Sequence, residues 1–266
     1  MNEAGTLTAR LAGVLRTAGA VDKAGAARRL VADYRAGRLA ERGDVPAPAR
    51  PARPARPELR LPRDMPKRRK AGTAASRFAL VHALAHIELN AIDLSVDIAL
   101  RFGAGLPDGF SADWLDVADD EARHFLLLER RLNDLGGTYG DLPAHDGLWQ
   151  AAGDTTHDVL ARLAVAHMVL EARGLDVTPA MIGRLERAGD ADTAAILRII
   201  LEDEIGHVAT GRRWFGELAG EGVADLPQLW RELVRRHFRG ALKPPFNTAA
   251  RRRVGMDEDW YGPLVD

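Results

Sequence analysis

From about residue 74 onward, apolar side chains recur every three or four positions, the period of a helix that buries one face, and no stretch alternates as a half-buried strand does. The pattern predicts long helices over 74–102, 111–135, 154–176 and 191–219, and a shorter one over 226–239. Breakers fall between them: Gly103, Gly105 and Pro107 end the first, Gly136 and Gly137 the second, and Pro179 follows the third. Ser111 or Asp113 is placed to cap the second helix, and Asp190 or Asp192 the fourth. Four helices of this length outline an all-α, four-helix bundle. Ahead of them, Leu7, Leu11, Val14 and Leu15, then Leu30, Val31 and Tyr34, predict one or two accessory helices within residues 1–44. Residues 45–71 repeat proline, alanine and arginine; each proline removes an amide donor and fixes φ, so this stretch reads as an extended strap. The expected organisation is accessory helices over 1–44, the strap over 45–71, a bundle over 72–220, and a C-terminal helix and tail over 221–266.

Four of the predicted apolar stripes are interrupted by acids. Glu88 falls among Val81, Leu84, Ala85, Ala91 and Ile92. On the second helix, Glu121 and His124 fall on the stripe of Trp114, Val117, Ala118, Phe125 and Leu128. Glu171 sits among Leu160, Leu163, Ala164 and Leu175, and Glu204 and His207 among Leu197, Ile200, Leu201, Val208 and Phe215. Four carboxylates gathered in low dielectric protonate unless a positive charge compensates them, and a metal pair supplies that charge. A Glu with a His three residues later presents both groups on one helical face. One Glu from each of two helices and one Glu-x-x-His from each of the other two is the ligand set of a carboxylate-bridged dinuclear site.

The spacings repeat as well as the letters. Glu88 to Glu121 and Glu171 to Glu204 are both 33 residues, and the halves are offset by 83 at each position. Glu88-Leu-Asn-Ala-Ile-Asp93 echoes Glu171-Ala-Arg-Gly-Leu-Asp176, and Asp120-Glu-Ala-Arg-His124 echoes Asp203-Glu-Ile-Gly-His207. The halves read as a duplicated helical hairpin. The competing reading pairs the same acids with arginines such as Arg123 or Arg173 and binds no metal, but it leaves the two histidines unexplained. Asp120 and Asp203 each precede a proposed ligand and are candidate acceptors for the ligating imidazoles, with Arg123 steadying the first.

Composition narrows the chemistry. With 46% hydrophobic and 28% charged residues, the 266-residue chain can bury a sizeable core. The absence of cysteine excludes disulfides, cysteine zinc sites, iron–sulfur clusters and thiol nucleophiles, leaving His, Asp and Glu as metal ligands. No run of 18 apolar residues is present and the first twenty positions lack a signal-peptide pattern, so the expected setting is cytoplasmic with no membrane partner. The net charge of −1 hides a net of +7 over 45–71, −14 over 72–230 and +7 over 231–254. The basic arms either wrap the acidic body or meet an anionic partner, and their near-cancellation favours wrapping.

These residues resemble the ferritin-like superfamily of di-iron carboxylate proteins, whose Asp/Glu-Glu-x-Arg-His signature is similar to Asp120-Glu-Ala-Arg-His124; the second motif departs from it with Gly206 in place of Arg. More narrowly, Ala85-His-Ile-Glu-Leu-Asn-Ala-Ile-Asp-Leu94, Tyr139-Gly-Asp-Leu-Pro-Ala-His-Asp-Gly-Leu-Trp149, Glu171-Ala-Arg-Gly-Leu-Asp-Val-Thr-Pro179 and Lys243-Pro-Pro-Phe-Asn247 look like a bacterial ferritin-like family known mainly as a domain of unknown function, over roughly 45–262. The resemblance implies Glu88, Glu121 and His124 on one metal ion and Glu171, Glu204 and His207 on the other, with Glu121 and Glu204 bridging. Oxygen ligands with two imidazoles suit iron, with manganese or zinc as alternatives. The implied function is a di-iron oxidase or oxygenase that uses O2 to oxidise a small organic substrate or a modified nucleoside, with an external electron donor if it is an oxygenase. The alternative is a non-catalytic, iron-handling protein, at most a ferroxidase or peroxide consumer. A tRNA substrate would require the basic segments from Arg60 to Lys70 and from Arg231 to Arg253 to stay exposed.

Other residues carry weaker signals. His167 lies one turn before Glu171 on the same face, as an additional ligand, a pocket residue or a hydrogen-bonded core histidine. His82 and His86 lie off the Glu88 face and suit hydrogen bonds to solvent or to another helix. The loop with Tyr139, His145, Asp146 and Trp149 reads as a structural crossover or a lid, and the Lys243–Asn247 turn as packing for the tail.

Overall fold

The computed structural model describes residues 5–39, 43–61, 64–65 and 73–265. Among the described residues every regular element is helical, and the extended backbone pairs at one isolated bridge between Leu59 and Ala144. The chain folds as two compact units, Met1–Trp149 and Gln150–Asp266.

In the first unit, α1 (Leu7–Arg16) packs on α3 (Ala74–Phe102), and α2 (Ala20–Arg35) packs on α4 (Asp108–Asp134). The α3–α4 hairpin is the centre of the unit. A reciprocal cap starts α3: the Thr73 hydroxyl accepts from the Ser76 amide at 3.2 Å, and the Ser76 hydroxyl accepts from the Thr73 amide at 3.1 Å. By length and composition α3 could cross a membrane, yet 72% of that stretch is buried inside the protein, around Glu88, Asp93 and Asp97. The second long helix begins at Asp108, not at Ser111 or Asp113: Pro107 takes the cap position and Phe110 is buried in the first turn. Leu135 ends α4 with the Gly137 amide donating to the Leu132 carbonyl at 3.1 Å, a closure that needs the positive φ of Gly136.

The strap lies along this unit as an extended chain, with its amides and carbonyls taken up singly. The Ala52 amide donates to the Leu15 carbonyl at 2.7 Å, Arg101 donates to the Pro48 carbonyl at 3.1 Å, and the Arg60 amide donates to the Ala144 carbonyl at 2.8 Å. Arg50 pairs with Asp146. Arg63 and Lys67–Lys70 lie outside the described residues. A short helix, α5 (Gly147–Gly153), follows and spans the boundary into the second unit.

The second unit opens with α6 (Val159–Arg162), which passes through a π-helical segment (Leu163–Leu170) into α7 (Glu171–Arg187) without leaving helical backbone. This element differs from the expected 154–176 at both ends. Asp158 caps its start, accepting from the Leu160 amide at 2.8 Å, and the helix runs through Pro179. A proline there removes the bond to the carbonyl of Leu175; the Asn247 side chain donates to that carbonyl instead, at 3.1 Å. Against this rod lies α8 (Ala191–Ala219), capped by Asp190, which accepts from the Thr193 amide at 3.1 Å. The chain closes with α9 (Leu226–His237), α10 (Thr248–Arg253), α11 (Glu258–Tyr261) and a 3-10 turn at Gly262–Leu264. The C-terminal basic arm is engaged within its own unit: Arg253 pairs with Glu202 at 2.7 Å, Arg252 with Asp257 at 3.2 Å and Arg239 with Asp154 at 3.2 Å.

Candidate metal centre

In the first unit the helical period does what the acid spacing implied. Glu88 comes from the middle of α3, while Glu121 and His124, three residues apart, share one face of α4 among Trp114, Ala118, Phe125 and Leu128. His124 Nδ1 lies 3.3 Å from Glu88 Oε2 and 3.3 Å from Glu121 Oε2. The ligand-capable atoms of the three lie within 4.8 Å of one another, and all three residues are buried. Burial pushes the Glu88 carboxyl well above the usual carboxylate range, and the Glu121 carboxylate pushes it the same way against the pull of His124. Two buried carboxyls and one imidazole, with no thiolate, are a donor set for a hard or borderline divalent cation, and a cation among them would favour the charged carboxylates that burial and their mutual repulsion disfavour. Glu88, Glu121 and His124 are therefore a buried group that could hold a metal ion.

In the second unit, Glu204 and His207 share one face of α8, with Glu204 Oε2 3.8 Å from His207 Nδ1. Glu171 is the first residue of α7, and its Oε1 lies 2.7 Å from Nδ1 of His167, one turn back on the π-helical segment. Glu204, His207 and His167 are buried, and the Glu171 side chain is 7% exposed.

The residues proposed to back the ligands are placed as follows. Asp120 and Arg123 pair with each other at 2.8 Å, both side chains more than a third exposed. Asp203 is half-buried on α8. His82 and His86 point to the connecting loop: His82 Nε2 accepts from the Gly140 amide at 2.9 Å, His86 Nδ1 lies 2.7 Å from the Tyr139 hydroxyl, and His86 Nε2 lies 3.0 Å from the His145 carbonyl. Burial holds His86 neutral, its pKa lowered to about 4. The loop from Tyr139 to Trp149 is thus latched to α3 by two buried imidazoles. A cavity of about 240 Å³ opens beside it, lined by Arg56, Phe125, Glu129 and Tyr139 among others. The Lys243–Asn247 turn packs on α7, where Arg173 donates to the Lys243 and Pro245 carbonyls at 2.7 and 3.2 Å.

Sequence reasoning missed the buried charges that hold these helices. Lys23 of α2, wholly buried, reaches Asp93 at 2.6 Å and the Ala52 carbonyl at 2.9 Å. Arg53 of the strap pairs with the other Asp93 oxygen at 2.9 Å and with Asn90 at 2.7 Å. In the second unit Arg251 grips Asp176 with two bonds of 2.9 and 2.8 Å, and the Asn247 amide adds a third at 3.0 Å. A signal was present: Asp93 and Asp176 stand five residues after Glu88 and Glu171 in the two repeats.

The family model described as "Protein of unknown function (DUF455)" matches residues 16–262, beginning ahead of the strap where the likeness was expected to start. An uncharacterized protein of Haemophilus influenzae is 41% identical over 208 residues, which cover 75% of this chain and 72% of that protein. No solved structure matches.

Proposed function

Since the chain belongs to the DUF455 family, whose function is unknown, its chemistry has to be read from its own residues, and we propose that it is a ferritin-like metalloprotein that binds two metal ions and acts as an oxidoreductase. In this reading the duplicated hairpins form one four-helix bundle. Glu88, Glu121 and His124 would hold one ion and Glu171, Glu204 and His207 the other, with Glu121 and Glu204 the carboxylates the pair would share. The observation that carries it is the buried Glu88–Glu121–His124 group, whose letters recur 83 residues later in the second unit. Iron is the natural metal of the reading, in a cytoplasmic setting, and a bound iron pair would supply two electrons for the reduction of O2.

The protein's part is to hold and shield. Glu88 keeps a proton in the metal-free chain because burial and Glu121 disfavour its anion, so loading a cation releases that proton from the Glu88 carboxyl. Leu89, Ile92, Phe125 and Leu128 keep bulk water away from the carboxylates. The cavity of about 240 Å³ beside Phe125 and Tyr139 is the candidate space for a small organic substrate, and none of the proposed ligands lines it.

Anaerobic reconstitution with ferrous iron, followed by metal counting and O2 uptake, tests the reading. Two irons per chain and rapid O2 consumption are expected, and Glu121→Ala or Glu204→Ala should abolish pairwise binding. Undiminished occupancy in both variants would refute the ligand assignment; two irons with no O2 consumption would leave a metal-binding protein and remove the oxidoreductase.

A further inference from the structure

The two repeats differ at one place beside the proposed ligands. Subtracting the 83-residue offset, His167 corresponds to Leu84, and Gly211 to Leu128. The first unit thus has a leucine on each helix, where the second has an imidazole on one and no side chain on the other. The exchange is complementary in space: a Cβ on Gly211 would lie 3.1 Å from the Cβ of His167. The missing side chain lets α8 approach the π-helical segment closely. Gly211 stands four residues after His207 and seven after Glu204, so His167 packs against the face of α8 that carries both.

The helical winding changes at the same place. Over the first repeat α3 is regular α-helix, but Leu163–Leu170 winds as a π-helix. His167 and Glu171 stand one turn apart where this segment passes into α7, and Nδ1 lies 2.7 Å from Oε1. Single π-helical stretches inside α-helices are frequently found at functional sites. Here the wider turn, the histidine and the opposing glycine are one local departure from the repeat.

We propose that His167 is a positioning residue for the second metal position, donating from Nδ1 to Glu171 Oε1 so that Oε2 is left oriented for the ion, and that this bond makes the two metal positions unequal. The inference rests on the metal-pair reading above. Glu171 arrives pre-aligned by a residue outside the proposed ligand set, whereas the histidine at Glu88 is His124, 3.3 Å away and itself a proposed ligand. The ion on Glu171, Glu204 and His207 therefore binds first. Partners of this kind are worth 10–100-fold in metal affinity.

The test is a Co²⁺ titration of the metal-free full chain, read from the visible absorption of the bound ion. Wild type should take two equivalents in two phases. His167→Phe, which keeps a ring and loses the donor, and His167→Leu, which installs the residue of the first repeat, should weaken the tighter phase 10–100-fold. His167→Asn, whose amide nitrogen can replace Nδ1, should restore it and keep the wild-type band positions. Two equivalents in wild type with both phases unchanged in His167→Phe would overturn the inference while leaving the metal pair intact. A wild-type chain that takes no metal pair would overturn both. Nitrogen NMR of the wild-type chain gives a check that needs no variant: with Zn²⁺ bound, the His167 Nδ1 proton should persist and exchange slowly. A metal-bound nitrogen on His167 would make it a ligand and refute the positioning role.

Discussion

Replacing Asp93 by Asn removes one negative charge from a wholly buried position and keeps the side-chain shape. Asp93 is held by Lys23 at 2.6 Å and Arg53 at 2.9 Å, with side-chain exposures of 1% and 15%. Burial pushes the Asp93 carboxyl up and the Lys23 amine down. Both shifts mean that neither charge is tolerated alone, so the pair exists by mutual compensation. Breaking such a pair from one side costs about 3–5 kcal/mol, because the partner charge stays buried. The Ala52 carbonyl on Lys23 and the Asn90 amide oxygen on Arg53 remain as acceptors, which places the expected loss near the lower end, about 3 kcal/mol. At roughly 2–4 °C per kcal/mol for a domain of this size, melting should fall by about 6–12 °C. The assay is urea unfolding followed by circular dichroism, in which the midpoint should drop at constant slope. Asp93→Leu with Lys23→Met removes both buried charges, and Arg53, already part exposed, can turn to water; that double variant should recover most of the loss. A single variant within about 1 kcal/mol of wild type, or a double as unstable as the single, would refute the charge-compensation account.

Two further perturbations test the latches. His86 is neutral in the folded chain down to about pH 4, against 6.5 in the open chain, burial being the main cause, with Arg53, His145 and His82 adding repulsion. Between those values the unfolded chain binds a proton that the folded one refuses, so this contribution is complete above pH 6.5 and is lost as pH falls toward 4, by about 3 kcal/mol in all. The difference between the metal-free wild-type and His86→Asn stability profiles isolates it, and a flat difference from pH 7 to 4 would rule it out. Asn247→Ala removes both the donor to the Leu175 carbonyl and the cap of α10, which accepts from the Ala250 amide at 3.1 Å, and should cost about 2 kcal/mol. In a Pro179→Ala background the helix regains its own donor to Leu175, so the same change should cost about 1 kcal/mol less; equal costs in the two backgrounds would show that Asn247 does not replace the proline's missing bond.

What could be read in the sequence was whatever repeats locally. Glu88, Glu121 and His124 stood out because an apolar stripe at helical period makes an inward carboxylate conspicuous, and that inference needs only one helix at a time. The all-helical architecture and the long helices came from the same period, the bounds of the third excepted. The features that escaped depend on distant residues or on small changes of pitch. Pro179 read as a stop because the donor that replaces its bond, Asn247, lies 72 residues beyond the Leu175 acceptor. Lys23 carries no local signal of burial, because its partner Asp93 is 70 residues on. The π-helical turn is illegible in Leu-Ala-Val-Ala-His-Met-Val-Leu, since a segment apolar on every side has no stripe from which to measure residues per turn.

The charge blocks gain a sharper meaning once their landing points are known. A basic arm that only neutralised an acidic body would scatter its pairs over the surface, as Arg252 and Arg253 do at exposed acids. Arg53 of the strap and Arg251 of the C-terminal arm instead go to buried aspartates, and both aspartates stand five residues after the glutamate proposed as a ligand in their repeat. Such buried pairs contribute little net stability over an apolar contact of the same shape, so stability alone does not explain two of them at equivalent positions. They do fix register. Displacing α3 or α7 by one turn along its axis would carry Asp93 or Asp176 about 5.4 Å from its cation and leave both charges buried and unpaired, a penalty that a leucine pair would not impose. The glutamate lies less than two turns away on the same helix, so the aspartate clamp also sets the height at which Glu88 or Glu171 is presented. In this arrangement the arms, which carry no proposed ligand themselves, determine where the ligands stand.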